Sequence, residues 1–426
     1  MGILLRKLFN TFLIFFLISN ISLSQDQISK QLSPRNANYD ITVTLDTKTK
    51  TLEGSEVLTW TNLSKENVYE LQFHLYLNAF KNSNSTFMKE SRTGVSKRNR
   101  NITVGDWGWI DISTMKTLDG KDLTDRIKFI QPDDDNIDDQ TVISVRLDEP
   151  VRPGRSIQLK IDFTSKLPKV IARTGYEDDF FLVAQWFPKL GVYEFPGIRN
   201  ATKGGWNCHQ FHANSEFYSD FGVYNVSITL PDNFIVGAVG VLQNKKENSD
   251  STITYKYKAE DAVDFAWTAS PHFKVFVDMW NNVKLIILMQ PEHTSLTPRV
   301  LESLKGSLEY FSNNLGDYPY PIVTVVDPPL KGMEAGGMEY PGFFTIVSLW
   351  NLPKGIRFLE NVTVHEFGHT YFMGILASNE FEDPWLDEGF NSYYEARTMD
   401  SLYGVKTSYV DFWGYNYGTR ENQRLS

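Results

Sequence analysis

The chain is nearly without cysteine: Cys208 is the only one in 426 residues. One thiol cannot close an internal disulfide, so stability must come from the core, and Cys208 itself reads as a packed thiol rather than a nucleophile. Positive charge is also in deficit, with 42 Lys and Arg against 52 Asp and Glu and a formal charge of −10. That balance disfavours long-range attraction to phosphate backbones, and the only compact basic cluster is Lys97, Arg98 and Arg100. Nucleic acid is therefore not an expected partner. Long apolar runs are missing as well. The stretch 8–21 is broken by Asn10, Thr11 and Asn20 and is shorter than the ~20 residues a membrane span needs.

That stretch follows Arg6 and Lys7 and is followed by Ser22-Leu23-Ser24-Gln25, the layout of a secretory leader. Residues 1–25 are expected to be a signal peptide, removed on export to a periplasm or the cell exterior. No cysteine follows the apolar stretch, so a bacterial-type lipid anchor is not expected, and the mature chain should have no stable membrane span. Nothing in the sequence sets an oligomeric state.

What is present is a globular composition, with 41% hydrophobic, 14% aromatic and 22% charged residues. The length exceeds the roughly 250 to 300 residues at which single cores stop growing, so two domains are expected. Alternating apolar and polar residues at 39–45, 51–60, 142–147 and 156–163, with turn chemistry at Pro153-Gly154 and Pro231-Asp232-Asn233, predict a β-rich domain over residues 26–280. No long amphipathic helix interrupts it. The acidic run 133–139 lacks the glycine and terminal glutamate of a helix-loop-helix calcium loop, and reads as a solvated loop. Beyond 281 the texture changes: Val300, Leu301, Leu304, Leu308 and Phe311 fall at helical spacing over 297–314, an extended run follows at 322–326, and helical periodicity returns at 359–376 and 386–399. Residues 281–426 are read as a second, largely helical unit, giving a multi-domain α+β chain.

The segment Val364-His365-Glu366-Phe367-Gly368-His369-Thr370 contains H-E-x-x-H. On a helix, side chains at i and i+4 project from one face a turn apart, so both imidazoles can reach one ion. A surface helix carrying two unrelated histidines is the plainer alternative. Val362, Val364, Phe367, Tyr371 and Phe372 argue against it, because under that cover unsatisfied imidazoles would be costly. Hydrolytic zinc takes three protein ligands and keeps a position for water. Glu388, nineteen positions beyond His369 in Pro384-Trp385-Leu386-Asp387-Glu388-Gly389-Phe390, is the candidate third donor, an acid among apolar residues that would be expensive to bury without a cation. The residual charge on such an ion lowers the pKa of its water and polarises a carbonyl, and Glu366, next to a ligand, can carry the proton from that water to a leaving amine. Asp387, Glu395 or a backbone carbonyl could orient the imidazoles, Glu395 lying seven positions after Glu388 on the same helix face.

H-E-x-x-H followed by a glutamate within W-L-D-E-G-F resembles the zinc signature of the M1 aminopeptidases, a branch of the gluzincins. Gly336-Gly337-Met338-Glu339-Tyr340 resembles the G-x-M-E-N exopeptidase motif of the same family, and a looser likeness through 217–224 and 264–271 extends it over nearly all of the mature chain. The resemblance implies a β-rich amino-terminal domain followed by a thermolysin-like, mainly helical zinc-peptidase domain. It implies one Zn2+ on His365, His369 and Glu388, with Glu366 as general base. It also implies peptide substrates with a free amino terminus, whose α-ammonium meets Glu339 while the backbone of Gly336, Gly337 and Met338 pairs with the substrate as an added strand. Two positions depart from the commonest pattern: Tyr340 and Asp387 both stand where asparagine is frequent, and Tyr340 could narrow or line the mouth of the first pocket. Family members place a stabilising tyrosine several tens of residues past the third ligand. Tyr393, Tyr394, Tyr403 and Tyr409 are too close to Glu388 for that position, and the chain reads as truncated in its catalytic domain. Loss of such a stabiliser costs about a hundred- to a thousandfold in turnover. Gln185 lines the cleft or packs the first domain. The competing readings are a zinc endopeptidase of the same clan and a non-catalytic scaffold or binding member of the fold.

Overall fold

The alternation at the start of the mature chain becomes strand Ala37–Asp46, with Ala37, Tyr39, Ile41, Val43 and Leu45 buried and the residues between them facing outward. It pairs along its whole length, antiparallel, with Thr51–Thr61, and on its other side runs parallel to Gly222–Pro231. The computed structural model describes residues 30–93, 103–349 and 351–419; the leader expected at 1–25 and the cluster Lys97, Arg98, Arg100 lie outside them. Seven strands form the main sheet, in the order Val241–Glu247, Thr252–Ala262, Gly222–Pro231, Ala37–Asp46, Thr51–Thr61, Ser156–Lys166, Trp109–Thr117. Two four-stranded sheets lie beside it. Their shared core is aromatic: Trp60, Trp186 and Trp267 are fully buried, and Tyr39 stacks on Tyr224 at 4.9 Å. The only α-helix described in this region is the short α1, Thr86–Thr93.

The second unit is built on a mixed five-stranded sheet in the order Lys274–Trp280, Val283–Met289, Ile322–Val326, Phe343–Thr345, Met338–Tyr340. The boundary expected between 280 and 281 therefore falls in the turn of a hairpin, whose first strand already belongs to this sheet. Val283–Met289 and Ile322–Val326 are parallel, and the crossover between them carries α2, Thr297–Leu315, whose Val300, Leu304, Leu308 and Phe311 are buried. Helices α3, Phe358–His369, and α4, Phe390–Tyr403, pack with α2 around a second core containing Phe311, Phe367, Tyr371 and Phe372. No helix among the described residues is long and apolar enough to cross a membrane.

The acidic run is more tied down than a solvated loop. Asp133 accepts from the backbone N–H of Gln210 and contacts His209 and His212, while Asp139, fully buried, accepts from the N–H groups of Thr86 and Thr141. Cys208 is buried beside His74, and burial pushes its thiol pKa well up, as a packed thiol requires. Gln185 belongs to a buried polar network: it donates to Asp264 at 2.6 Å and accepts from Lys189 at 2.8 Å.

Candidate metal centre

Helix α3 starts under strong restraint. Glu360 in its first turn takes a two-pronged contact from Arg299 of α2, at 2.7 Å on each oxygen, and the same guanidinium donates to the carbonyls of Leu352 and Ile356. At its other end a close approach is built in. A Cβ on Gly368 would stand 1.9 Å from Asn391 Oδ1 and 3.0 Å from Phe311 Cζ, so only glycine lets α4 lie this near. Asn391, fully buried, uses the proximity to donate to the carbonyl of His365 at 2.8 Å. After His369 the chain continues as a π-helical turn, Thr370–Ile375, and a second π-helical turn, Trp385–Gly389, leads directly into α4. Such wide turns recur at functional sites because they re-aim side chains without ending the helix. Here the second one carries Glu388.

The result is a small triangle of donors. His365 Nε2 and His369 Nε2 are 3.1 Å apart, and Glu388 Oε2 lies 3.4 Å from the first and 3.8 Å from the second. Three ligands at zinc distances with tetrahedral angles stand about 3.4 Å from one another, so the residues present fit one Zn2+. Burial is distributed differently from the sequence reading. The Glu388 side chain is 44% exposed, and the residue shut away from water is its neighbour Asp387. The flanking Trp385 and Phe390 are themselves exposed, so apolar neighbours did not cover Glu388.

Each imidazole is oriented by its own carboxylate. His365 Nδ1 lies 3.0 Å from Glu395 Oε2, and His369 Nδ1 lies 2.6 Å from Asp387 Oδ1. Glu395 is held in turn by Asn361 and by the hydroxyl of Tyr409, which donates at 3.2 Å. The carboxylates shape the charge of the metal-free site. Burial opposes a proton on His365, but the bonds to Glu388 and Glu395 outweigh it and hold its pKa up to about 11. His369 is likewise opposed by burial and held up to about 9 by Glu339 and Asp387. The bond to His365 pulls Glu388 down to about 2 against its burial.

Glu366 is 6% exposed, and its Oε2 is buried without a partner. Burial raises its pKa, opposed by the charges on His369 and His365. Glu339, on the edge strand Met338–Tyr340, is 3% exposed with Oε1 unpartnered, and burial lifts it to about 8. One ligand-type atom each from Glu339, Glu366 and His369 lie within 4.8 Å of one another. Neither acid is the exposed surface residue that the plainer readings supposed. The glycines divide. Gly337 has φ +69 and faces Glu366 Oε1, 3.5 Å from where a Cβ would be, whereas a Cβ on Gly336 would strike the Ile346 carbonyl at 2.7 Å, so Gly336 serves packing in its own sheet. Met338 and Tyr340 are buried and line a narrow cleft with Glu339. Sequence reasoning passed over Arg173, Glu216 and Glu380, which also reach this region. Arg173 pairs with Glu216 at 2.7 Å, and Glu216, Glu339 and Glu380 form a further carboxylate group within 4.8 Å. The available signal was an acid embedded in aromatics, Glu216-Phe217-Tyr218 and Glu380-Phe381.

A histidine pair on one helix, a carboxylate delivered by the next, and a mixed sheet whose edge strand borders them define the fold class of the zinc metallopeptidases. Residues 299–424 match the family model described as the Peptidase family M1 domain. Among curated proteins, Tricorn protease-interacting factor F2 of Thermoplasma acidophilum is 26% identical over 147 residues, covering 33% of this chain and 18% of that protein. The Probable M1 family aminopeptidase 1 of Encephalitozoon cuniculi is 31% identical over 125 residues, covering 27% and 14%. The matched segments thus span less than a fifth of either relative. An M1 zinc metallopeptidase from Deinococcus radiodurans has a similar fold, with a TM-score of 0.53 at 16% identity over 87% of this chain and 72% of that one.

Proposed function

We propose that this chain is a zinc-dependent aminopeptidase that hydrolyses the first peptide bond of peptides with a free amino terminus. The observation that carries the reading is the donor triangle of 3.1, 3.4 and 3.8 Å among His365, His369 and Glu388, with a buried and unpartnered Glu366 oxygen beside it. A bound zinc would supply a Lewis acid and an activated water at that point. The chain's own residues do the rest. Glu395 and Asp387 keep the ring nitrogens aimed at the ion. Glu366 accepts the proton of the attacking water and hands it to the departing amine, a task suited to an acid whose pKa burial has lifted. Glu339 sits at fixed distance from the centre and takes the α-ammonium, which sets the cut at one residue from the end. The free edge of Met338–Tyr340 offers backbone groups to an extended substrate. The leader-like first 25 residues support export of the protein to a periplasm or beyond.

The test compares alanyl- and leucyl-p-nitroanilide with their N-acetyl forms, with and without a chelator, for the native chain and Glu366→Gln. Activity on the free amines, abolished by chelation and lowered at least about a hundredfold in Glu366→Gln, is the expected result. Equal cleavage of acetylated substrates would remove the aminopeptidase reading.

A further inference from the structure

The turn that carries Glu388 has little packing of its own. Within Trp385–Gly389 only Asp387 is buried, and Trp385 at its start is 59% exposed. The segment before it, 376–384, begins in strain: Ala377 has φ +47, a left-handed conformation that an L side chain holds only where its surroundings impose it. The restraint acts at the segment's far end, from side chains of the first unit. Glu382 Oε1 accepts from Asn207 Nδ2 at 2.7 Å and faces His209 Nε2 at 3.0 Å, while its Oε2 pairs with Arg199. The same guanidinium lies 3.3 Å from Asp383 Oδ2, and the Phe381 ring stacks on that of His209 at 3.9 Å.

The gripping side chains are themselves fixed. Arg199 is also 3.3 Å from Glu194 and lies over the ring of Tyr218. His209 turns its other nitrogen to Asp133, 2.5 Å away, and Asp133 is shared with His212, whose Nδ1 meets Glu90 at 2.7 Å. A carboxylate at each ring nitrogen favours the imidazolium form of His209, in which both nitrogens donate. Burial opposes that charge, but the bonds to Asp133 and Glu382 outweigh it and raise the His209 pKa. The grip reaches the turn through the backbone. Asp383 N–H donates to the Asn379 carbonyl at 2.8 Å, and the Asp383 carbonyl accepts from the N–H of Leu386, inside the turn, at 3.0 Å.

We propose that Arg199, Asn207 and His209 of the first unit are positioning residues for the metal centre, which act through Glu382 and Asp383 to hold the turn that presents Glu388. The inference rests on the zinc reading of the donor triangle. Glu388 stands 3.4 and 3.8 Å from the two imidazoles on a half-exposed turn. Its approach to the ion is therefore set by what anchors the turn at either end, α4 on one side and this grip on the other. Loosening the grip lets the carboxylate sample positions away from the ion, and zinc affinity falls although no ligand has changed.

The experiment measures zinc affinity by competition with a fluorescent chelator, and the visible absorption of the Co2+-loaded chain, whose bands follow the ligand set. The proteins are the native chain, Glu388→Ala, Glu382→Ala, His209→Phe and the double variant of the last two. His209→Phe keeps a ring against Phe381 but has no N–H for Glu382. Glu382→Ala should lose about three- to tenfold in zinc affinity and His209→Phe about two- to threefold, and the double variant should lose no more than Glu382→Ala alone, because one grip is removed only once. The cobalt spectrum of Glu382→Ala should shift toward that of Glu388→Ala. Ile41→Val, in the core of the main sheet, lowers stability without touching the grip, and should leave zinc affinity within about twofold. An unchanged affinity and spectrum in Glu382→Ala overturn the proposal. So does an equal loss in Ile41→Val, which would make the effect general loosening of the fold. Affinity that depends on Glu388 but not on Glu382 removes the grip alone, whereas affinity indifferent to Glu388 removes the zinc reading and the grip with it.

Discussion

Replacing Asp387 by asparagine tests whether the group behind a metal ligand sets its affinity, and the structure fixes how the effect depends on pH. Asp387 is fully buried, its Oδ1 lies 2.6 Å from His369 Nδ1, and its Oδ2 has no partner. Asparagine can keep the hydrogen bond but removes the charge that makes the imidazole a stronger donor, and such changes cost about ten- to a hundredfold in metal affinity, or roughly 1.4 to 2.7 kcal/mol. A second effect runs the other way. Without metal, Glu339 and Asp387 hold the His369 pKa at about 9 against its burial, so below that pH zinc must displace a proton that Asp387 helps to retain. Asp387→Asn weakens the proton's hold as well as the metal's. Near pH 7 the two losses partly cancel; above about pH 9 the proton is gone in both proteins and the full loss of affinity shows.

The assay is a competition titration against a fluorescent zinc chelator at several pH values, with the metal-free fold checked by circular dichroism. The affinity ratio of native to variant should grow as pH rises from 7 past 9. A ratio within about threefold of unity at the high end, or one that shrinks with rising pH, would refute the assignment of Asp387 as the group that orients His369.

Two further outcomes are expected. Because His365 and His369 are held up to about 11 and about 9, the metal-free pair is protonated at neutral pH. Zinc binding should then release close to two protons, seen as a calorimetric heat that varies with the ionisation enthalpy of the buffer, and affinity should climb with pH. In the metal-free chain these raised values mean stability contributed fully below about pH 6.5 and lost as pH rises through 9 and then 11. A buffer-independent heat would contradict both statements. Gly368→Ala places a methyl 1.9 Å from Asn391 Oδ1 and should cost about 1 to 3 kcal/mol in denaturant unfolding. By pushing α4 away from α3 it should also weaken zinc binding, and an unchanged unfolding midpoint would show that the two helices can part freely.

How much of this was legible beforehand varies with the kind of signal. Period-two alternation over 39–45 is a property of one strand with one buried face, and it became Ala37–Asp46 in the main sheet. The 297–314 helix became Thr297–Leu315 for the same reason, an apolar stripe facing a single neighbour. The π-helical turns were not legible, since one extra residue in a turn leaves too small a trace in an apolar pattern to be told from ordinary helix. The groups that hold the imidazole rings from behind could be narrowed to Asp387, Glu395 or a carbonyl but not divided between the two rings, because that division depends on the tertiary placement of α4. Glu388 was expected to be buried because its neighbours are apolar, yet Trp385 and Phe390 are exposed at 59% and 44%. An apolar residue in a turn at the rim of a cleft covers nothing. Glu216 and Glu380 were missed because residues 164 positions apart in the chain meet only once both units are folded.

The distribution of unsatisfied groups supports reading this region as a site and not as a structural ion-pair cluster. Glu216 Oε2, Glu339 Oε1, Glu366 Oε2 and Asp387 Oδ2 are all buried acceptors without partners, gathered around two imidazoles and one fixed guanidinium. A cluster selected for stability would pair these oxygens, as the same unit does with Arg299 and Glu360 only a few turns away along α3. Leaving them open costs stability in the free protein and is reasonable only where ligands complete the set. The oxygens also differ in what would complete them. Asp387 and Glu366 stand beside the triangle that fits a metal ion, while Glu339 and Glu380 line a separate narrow cleft.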